Sequence, residues 1–474
     1  MSRLTLPTRT LISPLALASL SAVAAASFAP LAHAQSAATD KTRIEELEQR
    51  LLVLERKLEI QTEEAATKAK EAPVVSAGDR GFSLKNAKGD YELKFTALGQ
   101  VDGRYFVDDD GAFRDGFVTR RLRPTVQGSL GKLVSFRFTP EFAGNGTGDA
   151  ASIVDAYFDL KFDKAALVRA GKQKGLLGLE RLQSGGAISL TERGYVTELV
   201  PNRDLGVALY GELASGTVNY ALGVFNGTAD GRDVAQADDG LRELEGRVFF
   251  EPFKNDYSAF KGLGFGIAGS TGAKDGSGNN FVSRYRTPGQ NQFFTYNEAG
   301  VVASGKHTRY VPQAYFYRNS LGVLAEYAVS EQYLTRSGVE RSVKNDGYNL
   351  VASYVLTGED ASYRGVKPVS PYSIGADGWG AVELVVRLGS LAIGDEAFTG
   401  TTTGATANRL ANPTSQASQA KSYGAAINWV LTQNAKLSAD YNLTSFEGGG
   451  GGTAAAPIDR RDEKAVFTRL TIQY

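Results

Sequence analysis

From Tyr91 to Tyr474, apolar and polar residues alternate with a period of two. Leu93, Phe95, Ala97, Val101 and Tyr105 take one side of an extended chain, and Lys94, Thr96, Gln100, Asp102 and Arg104 the other. Val134, Phe136, Phe138 and Phe142 alternate in the same way with Ser135, Arg137, Thr139 and Glu141. Strict alternation is the signature of a strand with two different faces. About sixteen such segments follow one another, near 91–105, 117–130, 134–142, 151–162, 166–174, 204–213, 217–226, 242–251, 262–272, 308–317, 321–331, 345–357, 379–389, 421–431, 435–445 and 464–474.

A soluble sandwich also alternates, but hides its apolar face inside. The connections separate the two cases. They alternate long and short, as 107–116 then 131–132, 143–150 then 163–165, and 175–203 then 214–216. Long loops at one end and short turns at the other mark a transmembrane barrel. The segment Gly358–Gly378 falls on the short side and is nevertheless long. The last strand places Val466, Leu470, Ile472 and the terminal Tyr474 on one face, with Arg469 and Gln473 on the other. Open sheet edges cannot exist in hydrocarbon, so the strands must close. The expected fold is all-β: a transmembrane antiparallel β-barrel over 91–474, wide enough at about sixteen strands for a water-filled bore.

The residues before the barrel carry other patterns. Arg3 and Arg9, the apolar run Leu11–Ala29 and Ala32-His33-Ala34 predict a cleaved signal peptide over 1–34. Ile44, Leu47, Leu51, Leu54 and Leu58 follow 3-4-3-4 spacing, which predicts a periplasmic coiled-coil helix over 35–70. A linker is expected over 71–90, around Pro73.

Composition narrows the chemistry. Lys plus Arg and Asp plus Glu both number 52, so no bulk basic excess points to nucleic acid. Cysteine is absent and the two histidines are His33 and His307, which removes disulfides, thiolate metal sites and most imidazole catalysis. No cofactor, metal site or catalytic residue is expected. Gly264 to Gly269 satisfies G-x-G-x-x-G but sits in a strand-like run, where a dinucleotide site needs a helix to follow. Gly300 to His307 imitates a phosphate loop within a predicted long loop, with His307 in place of the needed Ser or Thr, and His307 reads as a loop residue. Asp108-Asp109-Asp110 reads as a solvated loop tip.

Several pieces in order resemble the phosphate-selective porin O and P family: Arg169-Ala170-Gly171-Lys172-Gln173-Lys174, Glu180, Ser184, Glu192-Arg193, Pro201 to Gly206, Tyr220 to Gly227, Arg247-Val248-Phe249, Pro312 to Tyr315, Leu356 to Glu359 and Asn428-Trp429. The chain departs from that pattern after Lys174, where Gly175-Leu176-Leu177-Gly178 stands in place of a frequent proline, and at Gly380 to Glu383, which lacks a tryptophan. The resemblance implies a homotrimeric channel in the outer membrane of a Gram-negative bacterium, lying in its lipid. Its third loop, about 175–203, would fold into the pore, and its basic residues would conduct inorganic phosphate or similar small anions.

Anion passage needs fixed positive charge and N–H donors where the ion sheds water, and arginine offers both in a planar fork. Arg104, Arg120, Arg121, Arg123, Lys172 and Lys174 form the candidate constriction. By parity Arg121 and Arg123 share the Gln127 face and point inward, whereas Arg120 shares the Leu122 face and reaches water only near the rim. Lys172 and Lys174 share parity with Val168 and Ala170, and enter the pore only if the strand ends or bulges there. Arg137, Arg169, Arg247, Arg309, Arg387 and Arg469 form a candidate basic stripe, although Asp102, Glu141, Asp155, Asp159, Glu245, Glu326, Glu383 and Asp440 also face inward and can pair with it. A general porin of the same fold, or an outer-membrane adhesin or loop-based enzyme, are the competing readings.

Overall fold

The computed structural model describes residues 36–78, 81–107, 113–143, 151–234, 239–296, 300–375, 377–401 and 407–474. The expected signal peptide and the Asp108–Asp110 tip lie outside them. The chain divides into two units, Met1–Glu71 and Ala72–Tyr474. In the first, a single helix α1 covers Ser36–Glu71, with Ile44, Leu47, Leu51, Leu54 and Leu58 all exposed.

The second unit is a closed antiparallel barrel of sixteen strands. They are β1 (Tyr91–Phe106), β2 (Gly116–Leu130), β3 (Val134–Glu141), β4 (Ser152–Asp163), β5 (Ala166–Lys174), β6 (Arg203–Leu213), β7 (Val218–Phe225), β8 (Glu243–Phe250), β9 (Leu263–Ser277), β10 (Val302–Arg318), β11 (Leu321–Arg336), β12 (Val339–Val355), β13 (Ala381–Ala392), β14 (Ala417–Val430), β15 (Ala435–Gly452) and β16 (Glu463–Gln473). Every strand predicted from alternation is present. Closure comes from β16 pairing with β1, from Ala465 opposite Phe106 to Gln473 opposite Leu98. Tyr474 then exchanges backbone hydrogen bonds with Ala97, 2.9 Å each way, so the terminal aromatic completes the seam. Its outward neighbours Leu470 and Ile472 are exposed while Arg469 and Thr471 are buried inside, as the parity requires.

Three expectations fail for identifiable reasons. The 71–90 stretch contains a hairpin, Val74–Gly78 with Gly81–Lys85, whose second strand pairs with the start of β1 through Phe82 and Phe95. The connection between β11 and β12 is the two-residue turn Ser337-Gly338, both with positive φ, the geometry that tight hairpins need. Both flanking strands therefore run on past the predicted ends at 331 and 345. Gly305 to His307 belongs to β10 rather than to a loop, and His307 is buried in the wall. Its Nε2 lies 2.9 Å from Ser330 Oγ and 3.3 Å from the Asp230 carboxylate.

The glycines of the 264–269 motif all fall in β9. A Cβ at Gly264 would approach the Phe249 ring to 2.6 Å, and one at Gly266 would meet Val248 O at 2.2 Å. Their role there is close packing of neighbouring strands.

Residues 175–202, between β5 and β6, cross the lumen. They carry a short helix α2 at Leu179–Leu182 and a 3₁₀ turn at Tyr195–Glu198. Leu176, Leu177, Leu179, Tyr195, Val196, Leu199 and Val200 are buried, so the loop brings apolar side chains of its own into the bore. Gly175 allows the entry, since a Cβ there would sit 2.8 Å from Pro201 Cβ.

Wall carboxylates grip the loop backbone. Glu245 of β8 accepts from Leu176 N at 2.6 Å, and Glu326 of β11 accepts from Leu179 N and from Glu180 N. Asp440 of β15 accepts from Thr191 N and Oγ1, both at 2.7 Å. Three of the eight inward acids therefore answer loop amides, while Asp102, Glu141, Asp155 and Asp159 pair with arginines. Each bond to a loop N–H satisfies an amide that is buried away from water.

The long segment between β12 and β13 also turns inward. Tyr363 donates to Leu179 O, and its backbone O accepts from Gln183 Nε2 at 2.8 Å. Its ring stacks on Tyr315 with centroids 5.3 Å apart. The length of 358–378 on the short-turn side is explained by this contact with the underside of the crossing loop. Together with Phe249, Leu324, Val351 and Val385 it fills one side of the bore, leaving the open passage along the opposite wall.

Candidate functional site

A cavity of about 830 Å³ runs beside the crossing loop. Gln433, Asn434 and Tyr474 line it at the short-turn end, and Thr287, Pro288 and Gln290, from the loop between β9 and β10, at the other. Fourteen of its lining residues are Lys or Arg and four are Asp or Glu, so the wall of the passage is strongly positive although the whole chain is neutral.

Of the six expected constriction residues, Arg120, Arg121, Arg123 and Lys174 line this cavity. Arg120 corrects the parity argument. The ladder between β1 and β2 slips by one residue, pairing Gln100 with Arg121 but Val101 with Thr119, so Arg120 occupies a β-bulge that re-aims its side chain. It meets Glu192 with Nε–Oε1 at 2.5 Å and Nη2–Oε2 at 3.0 Å. Arg121 lies under the loop with Nη1 donating to Gln100 Oε1, and its buried Nε has no partner. Arg123 meets Glu141 at 2.5 Å.

Lys174 ends β5, where the chain turns inward, and its Nζ donates to Leu182 O and Gln183 O at 2.8 Å each. Lys172 stays on the outer face, opposite Ala156 and the exposed Leu205. Nothing re-aims it, and it is not part of the cavity. Arg104 is screened from the cavity by the acids it contacts, Asp102 at 3.0 Å and Glu192 at 3.3 Å.

The expected stripe divides. Arg137 and Arg169 line the cavity. Arg169 is held by both oxygens of Asp159 and lies over the Tyr157 ring, 3.9 Å from its centroid. The others lie outside the cavity lining, and Arg309, Arg387 and Arg469 are buried fasteners. Arg469 clasps both oxygens of Asp102 and reaches Glu192 at 3.0 Å. Arg387 donates to Glu192 O and Asn442 Oδ1. Arg309 bridges Asp230 at 2.7 Å and Glu243 at 2.6 Å with a fully buried side chain. Arg247 donates to Gln313 and lies over the Phe249 ring, on the filled side of the bore.

Alternation in strands missed the cations contributed by loops. Arg181 and Arg193 line the cavity from the crossing loop, and Arg364 and Lys367 from the segment after β12. Arg203, at the start of β6, joins them and meets Asp155 at 2.8 Å. Arg193 donates to Glu180 O at 3.0 Å and Gln183 O at 2.8 Å, and Arg181 to Asn202 Oδ1 and Thr197 O. The hydrogen-bond acceptors of both are neutral. Burial first, then repulsion from Arg181, draws the Arg193 guanidinium down to about 9, and burial draws Arg181 down to about 10. Both stay charged at neutral pH. Glu192 behaves oppositely: burial opposes its ionisation, but Arg120 and Arg469 hold it well below the usual carboxylate range.

Cations crowded together with neutral partners and spare donors suit an oxyanion, which supplies the missing negative charge. Among the described residues no group of His, Asp and Glu is arranged to hold a metal ion.

Residues 97–446 match the sequence pattern of the family described as phosphate-selective porin O and P. The chain belongs to this family. Family and barrel fold together make it a porin of the outer-membrane type, a channel rather than an enzyme. Similar solved structures include an anion-selective porin from Comamonas acidovorans, 13% identical over 81% of this chain and 100% of that one, with a TM-score of 0.49. The outer membrane channel DcaP of Acinetobacter baumannii is 12% identical over 83% of this chain and 100% of that one, with a TM-score of 0.48. No curated protein matches the chain in sequence.

Proposed function

We propose that this porin passes phosphate or related small anions by passive diffusion, as a homotrimer in the outer membrane after signal-peptide export. The observation that carries the reading is the excess of Lys and Arg around the cavity, with Arg121, Lys174 and Arg193 hydrogen-bonded to neutral groups in its lining.

With the long loops facing outward, an anion enters past Arg286 and Gln290 and exchanges part of its hydration for the donors of Arg121, Arg193 and Lys174. It leaves past Lys94 and the exposed Arg364 and Lys367. Conduction requires binding weak enough to release the ion. Several moderate sites in series meet that requirement better than one closed pocket. Glu245, Glu326 and Asp440 hold the loop amides and do not line the cavity, where cations outnumber acids. The family's description favours phosphate among anions.

The test is chloride current through single channels with phosphate added. Micromolar to millimolar phosphate reducing the current at fixed chloride supports a phosphate site. Current that phosphate leaves untouched makes the protein a general anion porin.

A further inference from the structure

We infer that α1 forms a parallel, in-register, three-stranded coiled coil with two other copies of this chain. Its apolar residues set the seam: Ile44, Leu51 and Leu58 at a, Leu47 and Leu54 at d. In the single helix they are left 55 to 66% exposed. A seam so open is unstable in water without a partner.

The charges beside the seam identify that partner. Arg43, Arg50 and Lys57 occupy successive g positions, and Glu48 and Glu55 successive e positions. In a parallel, in-register assembly each g residue faces the e residue five places on in the neighbouring helix. Arg43 then meets Glu48, and Arg50 meets Glu55. An antiparallel arrangement sets g against g and e against e, placing cation on cation and acid on acid. Segregation of sign between the two flanks fits a copy of the same helix running in the same direction.

The number three rests on the homotrimer proposed above, whose barrels supply three copies of α1. The seam spans little more than two heptads, so it needs its copies held close, and trimeric barrels would hold them.

Absence of native cysteine makes cross-linking unambiguous. In the full-length protein in detergent, Arg50→Cys with Glu55→Cys should give a covalent trimer on a denaturing, non-reducing gel after mild oxidation. Gln49→Cys with Arg56→Cys, both at f, should stay largely monomeric. Monomers alone from the first pair, covalent dimers as its end point, or equal trimer from the f pair would each overturn the inference. Leu54→Cys, with both charges kept, should give covalent dimers, and Arg50→Cys alone should not. The reverse result would indicate antiparallel contact. Heat-modifiable migration of each sample confirms a folded barrel. Cross-linking is blind to ion selectivity, so its failure and the failure of the anion reading are separate results.

Discussion

Replacing Arg121 with glutamine removes a buried cavity cation whose side chain hydrogen-bonds to a neutral group. Its Nη1 is engaged by Gln100, and among the described residues its Nε has no partner and no carboxylate forms an ion pair with it. A unit charge 4 Å from a bound anion is worth about 1 kcal/mol at the dielectric of water and about 4 kcal/mol at the effective value near protein surfaces. At about 1.4 kcal/mol per decade, loss of the charge weakens phosphate binding by roughly 5-fold to 1,000-fold. Water in the bore and the neighbouring Arg120 and Arg193 put the expected effect near the lower end, about tenfold. The readout is the phosphate concentration that halves single-channel chloride current. Arg121→Lys should recover part of the effect, because it restores charge but not the planar fork. Lys172→Gln, on the outer face, should leave the half-blocking concentration unchanged. An Arg121→Gln channel that is folded and blocked at the wild-type concentration would refute this reasoning, as would an equal loss in Lys172→Gln.

Other consequences follow from the same geometry. Arg309→Ala leaves the buried Asp230 and Glu243 without their cation. It should destabilise the barrel's loop end by about 3 to 5 kcal/mol with little change in selectivity, read as a lower thermal transition beside an unchanged reversal potential. Burial opposes ionisation of Asp230, but Arg309 and then His307 hold it well below the usual aspartate range. Its depressed value means that its stabilisation is present above the unfolded aspartate range and lost only as pH falls through the folded value. Asp230→Asn should therefore lower the thermal transition at pH 7 and at pH 5 alike, and the two proteins should converge only in strong acid. Gly185→Ala places a Cβ 3.3 Å from Arg121 Cδ and Nε and 3.2 Å from Leu98 Cδ2; single-channel recording should show lower conductance and weaker phosphate block in a folded barrel. Tyr363→Ala removes the hydrogen bond to Leu179 O and the stack on Tyr315, and should give larger, noisier single-channel currents.

Strands were legible in the sequence because a barrel wall between lipid and water enforces alternation at nearly every position. Inward and outward residues of β16 follow from parity alone. Loops carry no such constraint. The inward turn of 358–378, with Arg364 and Lys367, left only its unusual length as a signal. The crossing loop was placed by resemblance, and its cations Arg181 and Arg193 carried no periodic signature. Parity itself misled at Arg120, since a one-residue bulge cannot be read from alternation, and it was right for Lys172, which the strand keeps outside. For the stripe, charge alone could not separate Arg137 and Arg169, which face the cavity, from Arg309, Arg387 and Arg469, which fasten loops. That distinction depends on where the loops pack inside the barrel, a tertiary fact.

The central claim is that fixed positive charge, concentrated along one passage of a neutral protein, selects anions. Reversal potential across a planar bilayer under a potassium chloride gradient measures it most directly. Chloride permeating faster than potassium should set the sign, and Arg121→Gln should shift the potential toward zero. A reversal potential of the opposite sign, set by potassium, would contradict it.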